Sequence, residues 1–87
     1  MARRNLIFTS EGWADYTYWI DQDKKTLKKI NKLLTDALRN PFEGLGKPEP
    51  LKENYTGFWS RRIDDKNRLV YAVNDSAISV IGCRFHY

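Results

Sequence analysis

An α+β fold, with two N-terminal helices packed on a twisted antiparallel β-sheet, is what this sequence predicts, and three patterns predict it. Between Trp13 and Leu38 the apolar residues return every three or four positions, the period of helices with one buried side. From Phe58 onward short apolar runs are cut by the turn-forming clusters Asp64-Asp65-Lys66-Asn67 and Asn74-Asp75-Ser76, as in successive hairpins. The helical half precedes the strand half instead of alternating with it, which favours helices segregated to one face of an antiparallel sheet. With 87 residues, the chain is expected to be a single domain over residues 1–87.

The first element is a short strand over residues 5–9. Ser10 is placed to cap the helix that follows, with Glu11 in its first turn, where a carboxylate meets the positive end of the helix dipole. Trp13, Tyr16, Trp19 and Ile20 form the stripe of that helix and read as core. Gly12 lies near the helix start, where glycine is tolerated. Asp21-Gln22-Asp23 interrupts the pattern, and Asp23 caps a second helix whose Leu27, Ile30, Leu33, Leu34, Ala37 and Leu38 hold helical spacing. The other side of this helix carries Lys24, Lys25, Lys28, Lys29 and Lys32. Two readings of that face stand: a solvated surface, and a ladder of contacts to a phosphate backbone. Asn40-Pro41 ends the helix, because the residue before proline avoids the α region.

Residues 41–50, P-F-E-G-L-G-K-P-E-P, read as a loop long enough to be either a disorder-prone insertion or a functional element. Pro48 and Pro50 restrict the backbone on both sides of Glu49, which favours function. A strand is expected to begin at Leu51-Lys52, and Tyr55-Thr56-Gly57 turns into another over residues 58–63. After the first hairpin turn, Arg68 to Val73 forms the clearest strand. The last strand covers residues 77–83 and delivers Arg84-Phe85-His86-Tyr87.

Composition narrows the function. Fifteen Lys and Arg against eleven Asp and Glu leave a net charge of +4, which suits a polyanionic partner. Three Trp and five Tyr supply stacking surfaces of the kind single-stranded RNA uses. One cysteine, Cys83, and one histidine, His86, exclude an internal disulfide and every recurrent zinc spacing, so no metal or cofactor is expected. Leu6-Ile7-Phe8 after the basic N-terminus is far too short for a signal peptide core, and no membrane-spanning run follows. A soluble, cytoplasmic protein is expected.

Period-two geometry places Arg68, Val70 and Ala72 on one face of their strand and points Arg84 and His86 the same way. Antiparallel neighbours could bring Arg68 near His86, with the Glu49 loop folding over the same edge. A carboxylate, a guanidinium and an imidazole around one point form a working set for RNA cleavage by internal transfer. The carboxylate takes the 2′-hydroxyl proton, the imidazole protonates the departing 5′-oxygen, and the guanidinium forks onto the phosphate oxygens.

The segments N-P-F-E-G-L-G-K-P-E-P-L-K-E-N-Y from Asn40, G-F-W-S-R-R-I from Gly57, R-L-V-Y-A-V from Arg68 and the ending C-R-F-H-Y closely resemble the YoeB toxins of the RelE superfamily. The similarity extends over the chain from about Leu6. It implies a microbial-ribonuclease-like fold, and a toxin of a type II toxin–antitoxin pair that cuts mRNA in the ribosomal A site without a metal. By the same resemblance Glu49 is the general base, Arg68 steadies the transition-state phosphate, His86 is the general acid and Tyr87 positions the substrate. Lys52 and Arg62 fall where the family places basic residues around the scissile phosphate, and Arg84 is grouped with them as RNA-binding. The implied partners are a cognate YefM-type antitoxin that covers the His86–Tyr87 end, the 70S ribosome with its mRNA, and a second copy of the chain. Promoter DNA is reached only through the toxin–antitoxin complex, and no membrane is involved. Two other readings stay open: a non-catalytic basic domain that blocks translation by occupying ribosomal RNA, and an inactive homologue kept for DNA or antitoxin binding.

Overall fold

The computed structural model describes residues 4–85. Strand β1 (Asn5–Phe8) leads into helix α1 (Ser10–Gln22), and helix α2 (Lys24–Arg39) follows after one residue. Strand β2 (Glu49–Pro50), a 3-10 turn (Glu53–Tyr55), and strands β3 (Phe58–Arg62), β4 (Arg68–Val73) and β5 (Ala77–Gly82) complete the described chain.

Thr9, not the expected Ser10, caps α1: its Oγ1 accepts a hydrogen bond from the Gly12 N–H at 3.1 Å. The Thr9 N–H also donates to the Val80 carbonyl at 3.0 Å, so the cap ties the helix to β5. The approach is tight enough that a Cβ on Gly12 would lie 2.2 Å from the Val80 carbonyl oxygen. Gly12 is therefore a packing position, which its place in the sequence did not disclose. Asp23 caps α2 as expected, its Oδ1 accepting from the Lys25 and Thr26 N–H groups.

Both helices lie on one face of the sheet. Ile30, Leu33, Leu34 and Ala37 of α2 are buried against Leu69 and Tyr71 of β4 and Ile78 and Val80 of β5. Each large aliphatic side chain buried in this way contributes on the order of 1.5–3 kcal/mol. Of the α1 stripe, Trp19 alone is buried, its Nε1 donating to the Cys83 carbonyl at 2.8 Å. Trp13 and Ile20, expected in the core, stay 53% and 43% exposed. The line of α1 that meets β5 passes through Gly12 and Trp19. Trp13 and Ile20 each stand one position further on, about 100° around the helix. Trp13 packs sideways instead, its ring centroid 5.6 Å from Phe8 and 5.9 Å from Tyr16.

The five strands form one sheet in the order β1-β5-β4-β3-β2. The pairs β2–β3, β3–β4 and β4–β5 are antiparallel, as the turn clusters predict. The Asp64 carboxylate shapes the β3–β4 turn by accepting from the Lys66 and Asn67 N–H groups, both at 2.8 Å. β1 is parallel to β5, from Asn5 opposite Ala77 to Phe8 opposite Val80, so the sheet is mixed and not wholly antiparallel. A parallel pair has no hairpin to announce it, because its connection must cross over the whole intervening chain. A second correction concerns β2, which is Glu49–Pro50, not a strand beginning at Leu51-Lys52. Among the described residues no helix is long and apolar enough to cross a membrane.

Candidate active site

On β3, alternate side chains face opposite sides of the sheet, with Arg61 on the side of α2 and Ser60 and Arg62 on the other. Glu49 of β2 pairs with Ser60, and Arg68 of β4 pairs with Arg62. Lys47, Glu49, Ser60, Arg62 and Arg68 line one hollow of about 60 Å³. Three cations thus share a small concavity with one carboxylate. Arg68 donates through Nη1 to the carbonyls of Asp64 and Asn67, so its guanidinium is held from one nitrogen. Burial alone pushes the Asp64 carboxyl up, but hydrogen bonds from Lys66 and Asn67, with Arg68 nearby, outweigh it and hold Asp64 below the usual carboxylate range.

The C-terminal segment is tied to the backbone of Arg68, one of the residues that line the hollow. The Phe85 carbonyl accepts from the Arg68 N–H at 2.9 Å, and the Phe85 N–H donates to Asn67 Oδ1 at 2.7 Å. The Asn67 amide in turn donates to both oxygens of Asp64 at 3.1 Å. Phe85, the last described residue, is therefore stitched to the backbone of Arg68. His86 and Tyr87, the predicted acid and substrate-positioning residue, lie outside the described residues.

Beneath the hollow, Arg61 fixes the loop that leads to Glu49. Its side chain has no exposed surface. Nε donates to the Tyr71 hydroxyl at 2.9 Å, Nη1 to Asp36 Oδ2 at 2.7 Å and the Leu45 carbonyl at 3.1 Å, and Nη2 to the Asn40 and Glu43 carbonyls at 2.6 and 3.0 Å. All five N–H donors of the guanidinium are thereby used. The Tyr71 hydroxyl in turn donates a hydrogen bond to the Pro41 carbonyl at 2.7 Å. Asp36 also accepts from the Leu45 N–H at 2.9 Å. Gly44 (φ +119°) comes so near that a Cβ there would lie 2.1 Å from Asp36 Oδ2. The proline- and glycine-rich loop is thus held by the core, which decides between the two sequence readings against a disorder-prone insertion.

A family model described as YoeB-like toxin of bacterial type II toxin–antitoxin system matches residues 8–87. The chain belongs to the YoeB-like toxins. It is 57% identical over 82 residues to Toxin YoeB of Escherichia coli K12, covering 94% of this chain and 98% of that one. A YoeB dimer from Staphylococcus aureus superposes with a TM-score of 0.91 at 49% identity, over 99% of this chain and 100% of the other. A YoeB–YefM complex from the same organism gives 0.88 at 48% identity, with the same coverage.

Within this YoeB-like toxin, Glu49, Arg62 and Arg68 are the predicted site residues that the fold brings together. Lys52 is exposed ahead of the 3-10 turn, outside the lining of the hollow. Arg84 stands past the end of β5, its guanidinium carbon 3.6 Å from the Tyr18 ring centroid and 4.5 Å from that of Phe85. It braces the C-terminal segment on α1 and does not line the hollow. Lys24, Lys25, Lys28, Lys29 and Lys32 are all exposed on α2, as both readings of that face require. A larger, open groove of about 310 Å³ between α2 and the loop is lined by Asn31, Lys32, Thr35, Asp36, Arg39 and Leu45, away from the paired carboxylate and arginines. Sequence reasoning missed Lys47 and Ser60. Two-residue alternation of Ser60 with Arg62 is the signal that could have found Ser60, whereas Lys47 lies in the loop before β2, where no such signal runs. Cys83 is buried, and its burial, with Asp15 nearby, pushes the thiol up to about 12, which leaves it inert.

Proposed function

We propose that this toxin is a ribosome-dependent endoribonuclease that cuts mRNA in the ribosomal A site by acid–base catalysis. The observation that carries the reading is the shared hollow of Glu49, Arg62 and Arg68, with the backbone of Phe85, one residue before His86, bonded to Arg68. Glu49 takes the proton of the 2′-hydroxyl as its oxygen bonds to phosphorus. Arg68 and Arg62 stabilise the charge that accumulates on the phosphorane oxygens. The bond from phosphorus to the 5′-oxygen breaks, and His86 gives that oxygen its proton, leaving a 2′,3′-cyclic phosphate and a 5′-hydroxyl. Tyr87 positions the substrate. Every step uses side chains of this chain and none calls for a metal.

The ribosome presents the message, and the exposed lysines of α2 supply contacts to ribosomal RNA. The Staphylococcus aureus structures carry YoeB with YefM and YoeB as a dimer. On that support we assign this chain a YefM-type antitoxin, a homodimeric state and a cytoplasmic site of action.

Toe-printing on purified ribosomes tests the proposal. The parent protein is expected to leave a new 3′ end in the A-site codon. Glu49→Ala, Arg68→Ala and His86→Ala are each expected to lose about 10²–10⁴-fold in cleavage while still binding ribosomes. Stalled ribosomes on intact message would instead establish a non-catalytic binder, which accounts equally well for the lysine face of α2. Charge reversal at Lys28, Lys29 and Lys32 is expected to weaken ribosome binding and to lower its salt slope by about 0.7–0.9 per lost phosphate contact. An unchanged slope returns that face to plain solvation.

A further inference from the structure

We propose that Lys47 binds the scissile phosphate of the mRNA beside Arg62 and Arg68, an inference that rests on the nuclease reading above. Lys47 lines the same hollow as those arginines and Glu49, whereas Lys52, the lysine that the family resemblance puts near the phosphate, does not. Glu49 pairs with Ser60 and Arg62 with Arg68, and the Arg62 N–H donates to the carbonyl of Gly46, the residue before Lys47, at 2.6 Å. Three cations from three neighbouring segments therefore line one hollow.

Two further features point to an anion in this hollow. Among the described residues, Glu49 forms no ion pair with any of the three cations, so their charge is not cancelled internally. Like charges held side by side repel, and a phosphate relieves that repulsion. With Glu49 ionised the lining carries two net positive charges, and three once Glu49 has taken the 2′-hydroxyl proton, so its charge opposes that of the phosphorane throughout. The Lys47 backbone is also left-handed (φ 52°), a conformation that glycine adopts without strain and lysine does not. A lysine at this position gives up local stability, and its ammonium in the hollow is the compensating function.

Single-turnover cleavage on programmed ribosomes by Lys47→Gly, Lys47→Gln and Lys47→Arg tests this, with Glu49→Ala in parallel. Lys47→Gly relieves the left-handed strain and Lys47→Gln keeps the side-chain length, so at least one neutral variant retains the fold, as melting temperature will show. Both neutral variants are expected to cleave about 10²-fold more slowly than the parent. Their affinity for ribosomes carrying a message with a 2′-deoxy nucleotide at the cleavage site should stay within about twofold, because one contact among many is lost. Lys47→Arg, which keeps the cation, is expected to recover most of the rate. Parental cleavage by a folded neutral variant overturns the Lys47 assignment while leaving the nuclease reading intact, provided that Glu49→Ala is inactive. Parental cleavage by Glu49→Ala overturns the nuclease reading itself.

Discussion

Arg61 and Arg62 are neighbours on β3, yet one is sealed in the core and the other opens onto the candidate active site. Arg61 has every donor committed: to the end of α2 at Asp36 and Asn40, to the loop at Glu43 and Leu45, and to β4 at Tyr71. Arg62 is exposed, and among the described residues its side chain donates to no other group, although its backbone N–H holds the Gly46 carbonyl. The difference shows two uses of the same guanidinium. On the α2 side, five fixed acceptors make it a structural pin that orders a loop with no regular backbone pairing of its own. On the other side, the fork has no acceptor among the described residues, as the proposed contact with phosphate oxygens requires. Both uses serve Glu49, because the loop that Arg61 pins runs directly into β2.

The comparison breaks most sharply under substitution. Arg61→Ala strips partners from Asp36, from Tyr71 and from three carbonyls at once, and is expected to cost about 3–5 kcal/mol. Arg62→Ala is expected to stay within about 0.5 kcal/mol of the parent while cleavage falls. Urea melts of the two variants side by side measure this, and equal midpoints would undo the distinction. Tyr71→Phe keeps the ring but removes the hydroxyl that joins Arg61 Nε to the Pro41 carbonyl. Burial raises the ordinary titration of that hydroxyl, with Arg61 opposing, so it stays a neutral phenol across the working range. Its loss leaves a buried N–H and a buried carbonyl unmatched, about 1–3 kcal/mol. A Tyr71→Phe protein as stable as the parent would mean that water replaces the hydroxyl.

A smaller effect separates the two sides by pH. The Leu45 N–H, then Arg61, hold the Asp36 carboxyl below its ordinary value of 3.8. A depressed carboxyl stabilises the fold fully above its unfolded value and loses that contribution as pH falls through the folded one. Between about pH 5 and pH 2, stability is therefore expected to fall more steeply in the parent than in Asp36→Asn, read as urea midpoints across that range. Parallel curves would show that Asp36 titrates alike folded and unfolded.

Much of this could be seen in the residues themselves. The six-residue strand Arg68–Val73 lies where its alternating pattern puts it, and Asp64 and Asn74 open the turns their chemistry favours. Asp23 caps α2, and the apolar stripe of α2 faces the core. Glu49 and Arg68 were singled out, and the fold sets them in one hollow. The α1 stripe misled because Trp13 and Ile20 satisfy helical spacing equally well whichever side of the helix meets β5. The close contact of Gly12 with Val80 settles that rotation. Lys47 hid within a loop, where alternation gives no warning until the loop is known to run alongside β3.

The order of elements, the cap of α2, the hairpin turns and the family were determined by the sequence alone, because each is written in residues a few positions apart or in motifs of fixed spacing. The rest had to wait for the tertiary structure: the residue that caps α1, the parallel pairing of β1 with β5, the burial of Arg61 and exposure of Arg62, and the hollow shared by Lys47, Arg62 and Arg68. Alternation says that two adjacent arginines face opposite ways, but only packing says which way is inward. Here α2, the loop after it and β4 together bring five acceptors to one side of β3, and a guanidinium can be buried only where such a set is complete.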